Sequence, residues 1–220
     1  QRGTMRKMKR FSLVTFLVLG LISGDLGAGT AASFVAKLQK KYESIASFTA
    51  DFKQFFQSRA GQMRESGILF VKKPGRMYWE YLEPTPKTFV TDGEKSYFYV
   101  PRNNQLIISD LDLQNTQAPL LFLLDKGNLR TDFDAQFEEE EPSSRVGNTM
   151  LRLTPKRFQG EFTQIILEVD PARFLIRRLI VVEPLGNRNE YVLENIRENI
   201  RIPDQRFDLK VPASVEVIRY

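Results

Sequence analysis

Two glutamates, Glu80 and Glu83, are the residues whose spacing could support catalysis, because they flank an aromatic strand as a carboxylate pair. Strand alternation places Glu80 on the face opposite Trp79, which argues against a shared glycosidase site. The 220-residue chain contains no histidine and no cysteine. This excludes serine–histidine–aspartate and cysteine–histidine catalysis and nearly all zinc sites. Since no phosphate loop or nucleotide fingerprint occurs either, we expect no enzymatic activity, no metal and no cofactor.

The chemistry that the sequence favours is the binding of an apolar ligand. The segment 67–84 indicates two strands joined by a Pro74-Gly75 turn, with the single tryptophan in the second strand. Alternation places one set of apolar side chains on one strand face. Together with one residue of the preceding strand, these are candidates for a ligand-binding wall: Phe52, Leu69, Val71, Met77, Trp79 and Tyr81.

A second apolar feature is the segment 116–124, which predicts a short helix that is apolar on nearly all sides. A helix of this kind between two β regions can close a curved sheet over a ligand pocket. Its candidate lid residues are Pro119, Leu120, Leu121, Phe122 and Leu124.

The remaining elements place these residues on a mainly β fold. Ser33 is a predicted cap for an amphipathic helix that starts at Phe34, and Asp92-Gly93 predicts a hairpin. The acidic stretch 138–144 is typical of a solvated loop, and 207–217 indicates a closing edge strand. The sum is about 10–11 short strands and two helices, which favours an unclosed antiparallel β-barrel with an N-terminal amphipathic helix and a helical lid.

The N-terminus has the pattern of a cleaved secretory signal peptide, with five basic residues followed by a short apolar run. We therefore expect a signal peptide at residues 1–31 and a single domain at 32–220. The chain carries a formal net charge of +5, of which +4 belongs to residues 1–31. The exported part is thus nearly neutral, which gives no support to nucleic-acid binding.

The ordered motifs of the chain resemble those of a known family, the periplasmic outer-membrane lipoprotein carriers (LolA). The resemblance is carried by SFTADFKQ at 47–54, GILFVKKPGRMYW at 67–79, DG at 92–93 with YFY at 97–99, the segment 116–124, and LTPK at 153–156. It covers essentially the whole exported chain and implies an open β-barrel with a helical lid.

The resemblance also implies a function and partners. Such carriers accept acylated lipoproteins from an inner-membrane ABC-type releasing complex and pass them to an outer-membrane receptor lipoprotein. We therefore expect a monomeric chaperone in the periplasm of a Gram-negative bacterium. The receptor of this pathway needs a cysteine for its own lipid, and this chain has none. The alternative is a periplasmic β-domain that binds a protein partner or another hydrophobic ligand.

The resemblance further implies a latch between the lid and the basic residue before Pro74. Family members usually have an arginine before the proline of this motif, whereas Lys73 stands there in this chain. Lysine lacks the planar donor fork of arginine, so Arg76 is a second candidate for the same role. A solvated Lys73 at the strand end remains an equal alternative.

Overall fold

The computed structural model describes residues 30–110, 127–157 and 162–220. The signal peptide expected at 1–31 falls almost entirely outside the described residues. The lid residues Pro119, Leu120, Leu121, Phe122 and Leu124 lie outside them as well. None of the helices in the described ranges is both long and apolar enough to span a bilayer.

Helix α1, Ala31–Glu43, starts earlier than the sequence predicts. Thr30 is its cap, because the Thr30 Oγ1 accepts the backbone N–H of Ser33 at 3.2 Å. The prediction that Ser33 caps the helix is therefore wrong. The N–H groups of the first helical turn have no partner within the helix, and the Thr30 hydroxyl is placed to accept the one of Ser33. The buried side of α1 carries Val35, Leu38 and Tyr42. A second helix, α2 (Leu129–Asp132), is a single turn.

Within the described ranges, twelve strands follow the sequence pattern and form one sheet. They are β1 (Ser47–Ser58), β2 (Gly61–Lys72), β3 (Arg76–Glu83), β4 (Lys87–Thr91), β5 (Lys95–Val100), β6 (Gln105–Asp110), β7 (Phe133–Phe137), β8 (Thr149–Pro155), β9 (Gln164–Asp170), β10 (Leu175–Val182), β11 (Arg188–Glu198) and β12 (Glu216–Arg219). The described strands exceed the predicted 10–11 by one, and the edge strand expected at 207–217 begins only at Glu216, after a 3-10 turn at Asp204–Phe207.

The sheet is open, with strand order β12-β6-β5-β4-β3-β2-β1-β11-β10-β9-β8-β7. All neighbouring strands are antiparallel except β12, which pairs in parallel with β6. The prediction of an unclosed antiparallel sheet is confirmed, apart from this edge strand. The parallel edge arises because residues 199–215 cross one face of the sheet before β12 begins.

The main core lies on one face of the sheet, which we call the inner face. Side chains from β1, β2, β3 and β8–β11 meet the buried side of α1 there in one continuous apolar cluster. The ring of Phe34 contacts Phe137 and Phe174, and the Tyr42 hydroxyl accepts the N–H of Ile176 at 3.1 Å. Helix α1 therefore covers the end of the inner face at which β10 begins.

The outer face carries a smaller apolar cluster under residues 199–215. Val90, Ile202 and Phe207 are buried there, and the guanidinium of Arg206 lies 4.2 Å from the ring centre of Phe70. This segment covers the outer face of β2–β5, so those strands are packed on both sides.

Most of the acidic stretch 138–144 is exposed, as the sequence predicts, but its glutamates Glu138 and Glu141 form ion pairs with the sheet. Glu138 is buried and pairs with Arg152, and Glu141 lies 3.1 Å from Arg178 and 2.8 Å from Arg188. Buried carboxylates need cationic or hydrogen-bonding partners. The arginines that supply them stand on the outer face of β8, β10 and β11, at 14, 37 and 47 positions from their glutamates.

Candidate functional site

The candidate wall predicted from the sequence comes together on the inner face. Directly paired residues of neighbouring strands share a face, and the pairing brings Leu69 opposite Trp79 and Val71 opposite Met77. Phe52 pairs with Gly67, which in turn pairs with Tyr81. Five of the six predicted residues are buried, and Tyr81 is partly buried against the same cluster. We call these six residues the aromatic wall.

The Phe52 ring contacts two other rings of the aromatic wall edge to face. The Phe52 ring centre lies 4.7 Å from that of Trp79 and 4.9 Å from that of Tyr81. The Trp79 indole N–H donates to the sulfur of Met77. Such edge-to-face pairs add stability beyond the burial of apolar area, about 0.5–1.5 kcal/mol each.

Gly67 permits this arrangement of rings. A Cβ atom at position 67 would lie 1.8 Å from the backbone oxygen of Glu80 and 2.9 Å from the ring of Phe52. Any side chain would therefore force β2 and β3 apart or displace the Phe52 ring. The glycine of the 67–79 motif is thus required by packing rather than by a turn.

The apolar surface extends beyond the residues that the sequence singled out. Phe89 pairs with Trp79, and Phe98 pairs with Phe89, so both phenylalanines face inward from β4 and β5. Sequence reasoning treated β4 and β5 only as a hairpin, although alternation from Trp79 could have identified both rings.

The two predicted latch residues lie in different places. Lys73 follows β2, and its ammonium group donates to the backbone oxygen of Tyr42 in the last turn of α1. Arg76 lies on the outer face, where its Nη1 is 2.7 Å from Asp204, a carboxylate that also pairs with Lys72. Strand alternation turns Arg76 away from the inner face, and its role as a second latch residue stays a prediction.

The carboxylates considered for catalysis do not form a site. Glu80 and Glu83 stand on β3, with Glu80 on the outer face, and Glu83 is exposed. Among the described residues, neither glutamate faces the aromatic wall.

A group of polar side chains that the sequence analysis missed lies beside the aromatic wall, at the end of the inner face away from α1. It consists of Gln54, Glu65, Lys87, Asn189 and Tyr191, and we call it the polar belt. The Lys87 Nζ lies 2.6 Å from Glu65 Oε1 and 4.4 Å from the ring centre of Tyr81. The ion pair therefore bridges β2 and β4 across β3.

The other half of the polar belt is a hydrogen-bonded triad. The Gln54 Nε2 donates to Asn189 Oδ1 at 2.9 Å and to the Tyr191 hydroxyl at 3.1 Å. The Asn189 Nδ2 donates to the same hydroxyl at 3.0 Å. Burial, together with the negative charge of Glu65, raises the pKa of Tyr191 and of Tyr81. Both phenols therefore stay neutral at physiological pH.

The signal for the polar belt is present in the sequence, but it is weak. Gln54 and Glu65 occupy inward positions of their strands, where alternation predicts apolar residues. Only the strand pairing shows that the five side chains meet.

Comparison with known proteins gives one family. Residues 43–210 match the family model described as outer membrane lipoprotein carrier protein LolA. An outer-membrane lipoprotein carrier protein of Hahella chejuensis is 28% identical over 218 residues, which cover 98% of this chain and 99% of the relative. One of Pseudomonas putida is 28% identical over 213 residues, covering 96% and 98%.

A solved structure shares the fold. An uncharacterised conserved protein from Thermus thermophilus superposes with a TM-score of 0.57 at 13% identity, covering 86% of this chain and 99% of that chain.

Proposed function

This chain belongs to the LolA family of outer membrane lipoprotein carrier proteins, and we propose that it binds the acyl chains of lipoproteins and carries them in soluble form. The observation that carries the proposal is the aromatic wall on the inner face of an open sheet. Bringing an acyl chain out of water is worth about 0.8 kcal/mol for each CH₂ group. A carrier therefore needs an apolar surface of this kind more than it needs any reactive group.

The proposed ligand-binding residues are those of the aromatic wall, Phe52, Leu69, Val71, Met77, Trp79 and Tyr81. Their rings and aliphatic chains offer dispersion contacts but few hydrogen bonds. Such a surface accepts acyl chains of different lengths because it recognises no particular polar group. We propose that cargo transfer involves no change of covalent bonds.

The pathway partners follow from the same proposal. The cargo arrives from an inner-membrane ABC-type releasing complex and leaves to an outer-membrane receptor lipoprotein, in the periplasm of a Gram-negative bacterium. The export signal at residues 1–31, the single domain at 32–220 and the monomeric state belong to this proposal. So does the lid formed by Pro119, Leu120, Leu121, Phe122 and Leu124, with Lys73 and Arg76 as the candidate latch residues.

The test is transfer of a labelled lipoprotein from inner-membrane vesicles or spheroplasts to the purified protein. We expect a soluble one-to-one complex on size exclusion chromatography. Phe98→Glu places a charge on the inner face, and we expect it to lower the yield of complex by at least about tenfold, because a carboxylate against an acyl chain is poorly solvated.

The matched control is Tyr99→Glu, since Tyr99 is the next residue of β5, is also half-buried, and faces outward. We expect this variant to form the complex normally. If wild-type protein yields no soluble complex, or if the two variants behave alike, the carrier proposal is wrong. A periplasmic protein-binding domain would then become the better explanation.

A further inference from the structure

The inner face is divided lengthwise into an apolar part and a polar part. Ala50, Phe52 and Gln54 follow one another on the inner side of β1, and a strand rises about 3.3 Å per residue. The polar belt therefore begins about 13 Å from Ala50. On β10, α1 contacts the strand at Ile176, whereas Asn189 of the polar belt pairs with Val181 near the other end.

Four of the five polar belt residues are buried although they carry charged, amide or hydroxyl groups, and Lys87 is half-buried. Gln54, Asn189 and Tyr191 are 7%, 5% and 3% exposed, and the side chain of Glu65 is 6% exposed. Removing an ion pair from water carries a penalty of several kcal/mol for each ion. Apolar residues at these five positions would bind acyl chains without this desolvation penalty.

One atom of the polar belt lacks a partner. The Gln54 Oε1 is buried and accepts no hydrogen bond from any group that the structure describes. Its amide is oriented by the two acceptors that face Nε2, namely Asn189 Oδ1 and the Tyr191 hydroxyl. A buried unsatisfied acceptor costs about 1–3 kcal/mol, so this oxygen is prepared for an N–H or O–H donor that arrives from outside.

We propose that the polar belt binds the first amide groups of the cargo polypeptide, those next to its acyl chains, with an amide N–H donating to Gln54 Oε1. This inference rests on the proposed carrier function. A lipoprotein is an amphiphile whose chemistry changes from methylene groups to amides at one point. The inner face changes from the aromatic wall to the polar belt in the same way, so the two boundaries coincide when the acyl chains lie along the wall.

The experiment compares two ligands on the full-length protein. One is a synthetic acylated lipopeptide, and the other is the same compound N-methylated at the amides nearest the acyl chains. Palmitate, which has no amide, is the reference for the apolar wall. Binding is followed by the fluorescence of Trp79, the single tryptophan of the chain, which lies in the aromatic wall.

We expect wild-type protein to bind the lipopeptide about three- to tenfold more tightly than its N-methylated form, which is the range of one net hydrogen bond. Gln54→Leu should remove this difference and leave palmitate binding unchanged. Gln57→Leu is the matched control, because Gln57 is the same residue type on the same strand but is exposed on the outer face. It should keep the difference.

The outcomes separate this inference from the proposed function. If wild-type protein binds both lipopeptides equally, the polar belt does not bind the amide N–H and the inference is overturned. This outcome does not depend on whether Gln54→Leu folds. The same holds if Gln54→Leu weakens palmitate and lipopeptide alike. If neither palmitate nor lipopeptide binds to wild-type protein, the carrier function itself fails.

Discussion

At the scale of single residues, Glu168 shows how the outer face holds its charges. This carboxylate is fully buried on β9 and lies 2.9 Å from Arg178 Nε. Burial alone would raise its pKa, but hydrogen bonds from Asn148, Ser144 and Ser143 outweigh that effect and lower the pKa to about 2. The ionised carboxylate thus holds the loop that follows β7 against the sheet through these hydrogen bonds.

The lowered pKa of Glu168 predicts a loss of stability in acid. Because the folded pKa lies below the ordinary value of 4.5, this contribution is complete above that value and disappears as the pH falls toward 2. Glu168→Gln should lower the free energy of unfolding at pH 7 by about 1–3 kcal/mol. It should also reduce the further loss between pH 5 and pH 3, measured by urea unfolding.

The control for this prediction is Glu139→Gln, since Glu139 is an exposed carboxylate of the same loop. It should leave both the stability at pH 7 and its acid dependence nearly unchanged. An acid dependence of Glu168→Gln equal to that of wild type would contradict the role given to this carboxylate.

At the scale of elements, α1 is attached to three separate parts of the sheet region. Gln39 Oε1 accepts the N–H of Leu129 at 3.0 Å, and the Tyr42 hydroxyl accepts that of Ile176 at 3.1 Å. Lys73 donates to the Tyr42 carbonyl, one of the last carbonyls of the helix, where a cation is favourable. The turn between β2 and β3 therefore holds the C-terminal end of α1.

This contact gives Lys73 a structural role besides the proposed latch, and the two roles can be separated. Lys73→Leu removes the donor to Tyr42, so we expect faster amide hydrogen exchange in the last turn of α1 with the fold retained. The latch proposal adds a change in cargo release, measured as transfer of a bound labelled lipoprotein to receptor-containing membranes.

Lys72→Leu serves as the control, because Lys72 pairs with Asp204 on the outer face and does not contact α1 through that pair. It should affect neither α1 exchange nor release. Faster exchange in Lys73→Leu with unchanged release would restrict Lys73 to anchoring α1.

At the scale of the whole molecule, an open sheet has two edges that could pair with other chains. One edge is β12, which has only four residues and carries Glu216 and Arg219. Short, charged edge strands discourage further pairing. β12 also covers β6, whose Leu106 is buried and whose remaining apolar residues are half-buried.

A variant that ends at Val215 lacks β12 and turns β6 into the edge. We expect this truncation to lower stability and to cause concentration-dependent association, seen as a rise in mass by light scattering after size exclusion chromatography. Removing Tyr220 alone loses one backbone hydrogen bond, to Ile108, and should leave a monomer. A truncated protein that stays monomeric at high concentration would show that β12 does not protect the edge.

The sequence by itself determined where the strands lie and which side chains of a strand share a face, because alternation is a local property. The aromatic wall could be predicted from Leu69, Val71, Met77, Trp79 and Tyr81, which stand in two strands joined by a recognisable turn. The resemblance in motif order also predicted the family correctly. Local patterns failed where a local competitor existed, as with Thr30 in place of Ser33 at the start of α1.

Only the tertiary structure decided what depends on pairing between distant segments. Gln54 and Asn189 are 135 positions apart, and each reads as an isolated polar residue until β1 pairs with β11. The partners of the acidic stretch 138–144 and the parallel pairing of β12 with β6 have the same origin. Alternation says which side a side chain points to, whereas register and strand order say which other side chains it meets there.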